Sequence, residues 1–357
     1  MAPKAPTIVE RLLLLPNVGR IIFAVILRLL TQPFITGVKQ KNAIKDALYT
    51  GIRTFLLVSS VAQEQYVLGT TQGVYKQLTG RNRVKPDIQT LKSGVKLYWL
   101  GSRSAKKVIL FFHGGGYVLP CGTGHWQFMI DLQKGLAKDH DVAIAALGYT
   151  LAPEMQYPGQ LKQASEALEH LLVDQKRSPS SIFIGGDSAG GNLTVALLSH
   201  ILHPHSQVKD ISQLVKEPFA GAVLISPWIQ WMPAGGSADT NANSDIVSPA
   251  AGTRWSKAYR VGNTQSDNYQ EAALAPTTWF EKLPTIVKDV IVWGGEVELL
   301  IDSIVRFGNL VKSIHPKAEM VIQPGAGHED FITTRMLHLP SKDDHAKLIQ
   351  SWIAARL

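Results

Sequence analysis

Seven short apolar runs recur between residues 95 and 322: Val95–Leu100, Val108–Phe112, Val142–Leu147, Ile182–Ile184, Ala220–Ile225, Val290–Trp293 and Ala318–Ile322. The stretches between them are longer and helix-like. This alternation constrains the fold more than any other property. Short buried strands joined by helical crossovers build a mostly parallel sheet with helices on both faces. At 357 residues, 45% apolar and 18% charged, the chain can bury one such α/β core plus a lid, and its composition excludes a disordered chain. It shows no internal repeats and no low-complexity tracts.

Two strings at strand ends carry the chemistry. The run Ser181–Ile184 leads into Gly186-Asp187-Ser188-Ala189-Gly190-Gly191, and a helix-like stretch from Asn192 to His200 follows. A serine on a tight turn from strand to helix has its hydroxyl pushed into a cleft, and glycines on either side keep the turn free of clashes. Upstream, Val108–Phe112 leads into His113-Gly114-Gly115-Gly116, where bare backbone N–H groups can point at a developing oxyanion. Serine alone is a poor nucleophile, so it needs a base and a third group to fix the base's tautomer. His328, in Gly325-Ala-Gly-His-Glu-Asp330 just past the last apolar run, is placed to be that base. The acid should follow Val290–Trp293, where Glu296, Glu298 and Asp302 are the candidates.

Five motifs in order are similar to the hormone-sensitive-lipase branch of the α/β-hydrolase fold, which includes arylacetamide deacetylases and many esterases. They are the glycine string, the serine string, Gly148-Tyr-Thr-Leu-Ala-Pro-Glu154, Leu224-Ile-Ser-Pro-Trp228 and Pro324-Gly-Ala-Gly-His328. The resemblance covers roughly residues 85–357 and only loosely the first 80. It implies a mostly parallel central sheet flanked by helices, with a helical lid from the N-terminus and an insertion. It implies the chain order serine, acid, histidine. The branch usually shows D-x-L-x-D in the acid loop. Aligned on Leu300 and Asp302, the catalytic place falls on Glu298, a glutamate for aspartate, while Asp302 is expected to charge the following helix start. By the same resemblance the oxyanion hole combines the N–H groups of Gly115, Gly116 and Ala189. His113, Gly114, Asp187, Tyr149 and Glu154 are expected to organise the loops.

The domain reading is residues 1–84 as an apolar segment with lid helices, and 85–357 as the hydrolase domain. Ile44, Leu48, Ile52 and Leu56 predict an amphipathic helix. The insertion 229–283 is polar but holds Trp231, Trp255, Tyr259, Tyr269, Trp279 and Phe280, and reads as a second lid piece and pocket wall. Residues 9–36 are the most apolar stretch. Pro16, Asn17, Gly19 and Arg20 break the run, which argues against a spanning helix. A lid helix and a helix lying in a membrane interface, with Arg20 and Arg28 flanking its core, are the two jobs it supports.

The net charge is +8, but the basic residues are scattered and no nucleic-acid motif accompanies them. The single cysteine, Cys121, forbids an intrachain disulfide and reads as a loop residue. No metal-binding spacing and no dinucleotide fingerprint occurs, so no cofactor is expected. The expected enzyme is a serine hydrolase that cleaves a carboxylic ester, an acetyl ester among them, of a hydrophobic small molecule. It would be cytoplasmic or at the surface of an intracellular membrane, as a monomer or a homodimer. An amide or formamide hydrolase with the same residues, or a non-hydrolytic synthase or cyclase, is the alternative.

Overall fold

The computed structural model describes residues 5–232, 235–260, 262, 265–340 and 345–357. Eight strands form one sheet: β1 (Asp87–Thr90), β2 (Lys96–Leu100), β3 (Lys107–Phe112), β4 (Val142–Gly148), β5 (Ile182–Asp187), β6 (Gly221–Ile225), β7 (Val290–Gly295) and β8 (Ala318–Gln323). Their order is β1-β2-β4-β3-β5-β6-β7-β8. The pairs β1–β2 and β2–β4 are antiparallel, and every pair from β4–β3 onward is parallel. Seven strands coincide with the apolar runs. β1, Asp-Ile-Gln-Thr, gave no such signal: it is an edge strand paired only with β2, and none of its residues is fully buried.

The helices run in chain order. α1 (Ile8–Leu12), α2 (Leu14–Thr31), α3 (Ala43–Val58), α4 (Val61–Leu68) and α5 (Thr71–Arg81) precede the sheet. The helices among the strands are α6 (Thr123–Leu136), α7 (Gly159–Glu169) and α8 (Ala189–Leu202). The insertion supplies α9 (Ser237–Thr240) and α10 (Pro249–Tyr259), followed by α11 (Leu283–Ile286), α12 (Ile301–Ile314), α13 (Asp330–Met336) and α14 (Ala346–Ala354). The period of two along a strand divides the core between the faces. On β3, Val108, Leu110 and Phe112 join the cluster that holds Leu161 of α7, Leu193 of α8 and Ile304 of α12. Ile109 and Phe111 join the other, with Tyr75 of α5, Trp126 of α6 and Trp352 of α14. Tyr49 and Leu56 of α3 belong to the first cluster, so this helix shares the core of the sheet.

The amphipathic helix expected over residues 44–56 is present as α3, but its apolar stripe does not define its buried side: that side is Asp46, Ala47, Tyr49, Gly51, Arg53 and Leu56, and Ile44 is exposed. α2 lies along α3, with Val25 and Ile21 over Gly51, so α3 answers to two apolar neighbours instead of one. Nor is the run at Pro16–Gly19 broken. Helix continues through it, because Pro16 sits in the first turn of α2, where its missing N–H costs nothing. Ile8–Phe34 is, by length and composition, long and apolar enough to cross a membrane.

Candidate active site

Ser188 closes the end of β5 and caps α8 with φ 47° and ψ −116°. This backbone conformation costs a residue with a side chain about 1–3 kcal/mol. It is held from both sides: the Ser188 N–H donates to Ile225 O at 2.9 Å, and its carbonyl accepts from the N–H groups of Asn192 and Trp228. The flanking glycines have a steric cause. A Cβ on Gly190 would lie 1.9 Å from Phe112 O, and one on Gly186 would lie 2.5 Å from Gly190. Buried Asn192 ties the turn to its surroundings. It accepts from the Tyr117 hydroxyl at 2.6 Å and donates to the carbonyls of Trp228 and Gln270.

The glycine string follows β3. Gly114 N–H donates to Asp187 Oδ2 at 2.7 Å, which ties the two strings together. Gly115 and Gly116 both have positive φ, 102° and 59°. The Gly115 carbonyl accepts from Val118 and Leu119, so the Gly116 N–H, trans to it across the same peptide plane, points the other way. Likewise the Gly114 carbonyl is engaged by the His113 ring and Tyr149, which turns the Gly115 N–H away from them. The Ser188 carbonyl is similarly engaged, and the Ala189 N–H points away from it. His113 stacks on Tyr149, whose hydroxyl donates to His113 O at 2.7 Å. Burial, then the nearby His125, pushes the His113 pKa down to about 4, so this ring is a neutral support.

His328 is buried in the loop after β8. Its Nδ1 lies 2.6 Å from Glu298 Oε2. Glu298 Oε1 accepts from Gly295 N–H at 2.7 Å and Ser226 Oγ at 3.1 Å. Burial pushes the Glu298 carboxyl up, and the bond from His328 works against that rise. Of the other acid candidates, Glu296 is exposed and accepts from the Gly325 N–H. Asp302 lies in the first turn of α12 and accepts from the Ser237 N–H at 2.8 Å. Ser188, Glu298 and His328 thus follow the carboxyl ends of β5, β7 and β8, where chemistry on a parallel sheet is built. Glu154 lies exposed on the surface.

Three groups at the site were not legible as functional. Asp245, from the insertion, accepts the backbone N–H groups of His328 at 2.9 Å and Leu299 at 2.7 Å, and so sets the base loop against the acid loop. Ser226, within the Ile-Ser-Pro-Trp motif, links Glu298 to the Glu329 N–H. His125 Nε2 lies 2.9 Å from Asp187 Oδ2 and 3.6 Å from Glu329 Oε2. Only the Ser226 motif offered a signal. The others share neither local spacing nor a string with the triad. Among the described residues, His125, Asp187 and Glu329 are the group close enough to hold a cation. However, His125 Nδ1 accepts the Gly122 N–H, which leaves its proton on Nε2, facing the carboxylates.

Two helical pieces cover the site. A Cβ on Gly116 would meet the Trp255 ring at 2.4 Å, so α10 of the insertion rests directly on the glycine string. Trp255 Nε1 donates to Glu64 Oε2 at 2.9 Å, and Arg254 pairs with Glu64 Oε1 at 2.5 Å, which joins α10 to α4. Gln65 of α4 donates to the carbonyls of Val118 and Ala152. α3 contributes Tyr49, whose hydroxyl donates to Asp330 at 2.8 Å, and Arg53, which donates to Asp245 O. Of the insertion's aromatic residues, Trp231, Trp255, Tyr259 and Phe280 are buried and Tyr269 and Trp279 half-buried.

The α/β hydrolase fold family matches residues 109–332. An acetyl-hydrolase of Streptomyces hygroscopicus is 29% identical over 153 residues, 43% of this chain and 46% of that one. Neutral cholesterol ester hydrolase 1 of Bos taurus is 33% identical over 210 residues, 51% of this chain and 47% of that one. The chain thus spans less than half the length of either relative. A hormone-sensitive lipase from a metagenome library superposes with a TM-score of 0.67 at 20% identity, over 89% of this chain and 99% of that one, which is a likeness of fold. Together with the motifs on strands β3 and β5 and the loop after β8, the family match shows that the chain belongs to the α/β-hydrolase family.

Proposed function

We propose that this chain is a carboxylic-ester hydrolase that works through an acyl-enzyme on Ser188. One observation carries the reading: a serine in a left-handed backbone turn at a strand–helix junction, with a buried His328–Glu298 pair at 2.6 Å on the neighbouring loops. Ser188 Oγ attacks the ester carbonyl carbon while His328 Nε2 takes its proton. The tetrahedral oxyanion is held by the N–H groups of Gly115, Gly116 and Ala189, each worth roughly 3–4 kcal/mol in such sites. His328 passes the proton to the leaving alcohol. Water, deprotonated by the same nitrogen, then releases the acid and frees Ser188. Glu298 keeps the His328 Nδ1 proton in place and offsets the imidazolium charge.

The substrate class we infer is a small hydrophobic ester, with acetyl esters among the candidates. Trp255 against Gly116 supports this, since it puts an aromatic wall beside the oxyanion donors. A p-nitrophenyl ester series from acetate to long acyl chains tests both points. Hydrolysis that peaks at short or medium acyl length is expected. No turnover of any ester, with no labelling of Ser188 by a fluorophosphonate, would refute the reading in favour of a non-hydrolytic use of the fold. Turnover of p-nitroacetanilide above the acetate ester would favour the amidase alternative.

We also propose that α2 lies flat on a membrane surface. Its inward side, Asn17, Ile21, Val25 and Arg28, packs toward α3. The outward side exposes Leu15, Val18, Ile22, Phe23, Ile26 and Leu30, with Leu15 80% exposed. Arg28 pairs with Asp46 at 2.6 Å and Asn17 donates to Val58 O, so the helix is fastened along its length to the body. A helix held this way supports an interfacial position over a spanning one. Because Arg28 is engaged by Asp46, apolar area outweighs charge in the attraction. Full-length protein should float with neutral phosphatidylcholine vesicles. Replacing Leu15, Phe23 and Leu30 with Asp should leave it at the bottom of the gradient. Retention in the pellet after alkaline carbonate would point to a span instead.

A further inference from the structure

His328 carries a carboxylate on each side. Glu298 faces Nδ1. Glu329 Oε1 lies 3.6 Å from Nε2, the nitrogen that must receive the Ser188 proton. Glu329 is fixed in that place. Its backbone is left-handed, φ 49° and ψ 39°, its N–H donates to Ser226 Oγ, and the residue is buried. Oε1 has no hydrogen-bond partner among the described residues. A Cβ on Gly114 would lie 2.5 Å from it, so the carboxyl sits against the first glycine of the oxyanion string.

The groups that face this pair come from every surrounding element. Glu298 from the loop after β7 and Asp245 from the insertion face His328. Asp187 at the end of β5 and His125 of α6 face Glu329, with His125 between the two carboxylates. His113, Tyr149 and Cys121 stand behind them as neutral groups. Asp330, next in the chain, is turned away onto Tyr49 and Lys45.

We propose that Glu329 is a positioning residue for the base: a second carboxylate that holds a proton on the Nε2 side of His328 and so sets the pH above which Ser188 is activated. The proposal rests on the hydrolase reading above. An imidazole can take the serine proton only when Nε2 is unprotonated. In a site shielded from water, a carboxylate on each side favours the imidazolium. Burial works to lower the His328 pKa. The charge of Glu329, followed by the bond and charge of Glu298, overcomes it and holds the ring at about 10. Burial and the charge of Asp187 push the Glu329 carboxyl up as well. The sign follows. As pH rises, the Nε2 proton leaves to solvent and the neutral base appears, later than in an ordinary histidine. Removing the Glu329 charge brings that point down. Once acylation returns a proton to Nε2, the same carboxylate faces the new imidazolium.

The test pairs two readouts on the full chain, wild type against Glu329→Gln and Glu329→Gly. The first is the acid limb of kcat/KM from pH 5.5 to 10.5. The second is the His328 ring titration by NMR with labelled histidine, which needs no turnover. Both should lie well above the ordinary imidazole value of about 6.5 in the wild type. Both should fall by about one pH unit or more in each variant, raising activity at pH 7, relative to each protein's own plateau, about tenfold. Glycine suits the left-handed backbone at 329, so that variant should fold even if the glutamine variant does not. An active wild type whose limb and ring titration are unmoved in folded Glu329→Gly overturns the Glu329 proposal and leaves the hydrolase reading standing. A ring titration that shifts in a protein with no esterase activity supports the hold on the proton and overturns the hydrolase reading instead.

Discussion

The turn that carries Ser188 and the helical layer that covers it are fixed by different means. At the turn, constraint is local and steric. Gly186 and Gly190 touch each other and Phe112 O, and no other residue fits there. In the cover, constraint is distant and polar. Glu64 reaches Arg254 and Trp255 across 190 and 191 positions of chain, and Arg53 reaches Asp245 across 192. The first kind of constraint leaves a string that can be read by eye. The second leaves single residues scattered through unremarkable sequence. The difference teaches where substitutions should act: on rate at the turn, on stability and access in the cover.

The sharpest break in that contrast would come at the turn. Ser188→Ala and His328→Ala should each lower ester hydrolysis by several orders of magnitude, about 10⁴-fold or more. The double variant should be little worse than either single, since the pair acts as a unit. Retention of a tenth of the activity in either would undo the assignment. Next comes the acid loop. Glu298→Ala should cost on the order of 10³–10⁴-fold, because the acid orients and stabilises the imidazole but moves no proton. Asp302→Asn, whose carboxylate accepts from the Ser237 N–H away from His328, should stay within about tenfold. The reverse result would shift the acid by one helical turn. In the cover, Glu64→Ala leaves half-buried Arg254 without its ion partner and the Trp255 N–H without an acceptor. It should lower stability to urea by about 1–3 kcal/mol, while turnover of p-nitrophenyl acetate falls less than tenfold. A collapse of turnover with unchanged stability would mean that the cover takes part in the chemistry.

Legibility followed the same division. Strands β2 to β7 showed as apolar runs because nearly all their residues are buried. β1 did not, since an edge strand such as Asp-Ile-Gln-Thr needs no apolar alternation. Ser188, His328 and the glycine string could be read because their function demands glycine at fixed offsets. Glu298 could be reached only through its register with Leu300 and Asp302. Asp245 acts through backbone N–H groups that any sequence provides, so no residue type announced it. The apparent break at Pro16 misled because a proline in a first turn and a proline in mid-helix look alike until the helix start is known. The stripe on α3 announced the helix but not its whole buried side, because the helix packs on α2 as well as on the sheet.

The left-handed backbone at Ser188 has a consequence for heredity as well as for rate. Alanine at 188 keeps the conformational cost, and glycine relieves it at a smaller cost in chain entropy. Ser188→Gly should therefore melt above Ser188→Ala and no lower than the wild type. If so, the most damaging change to catalysis is also among the gentlest to the fold. A duplicated copy of this chain, released from selection on turnover, would have an open path to a durable, silent protein whose pocket is intact and free to acquire another use.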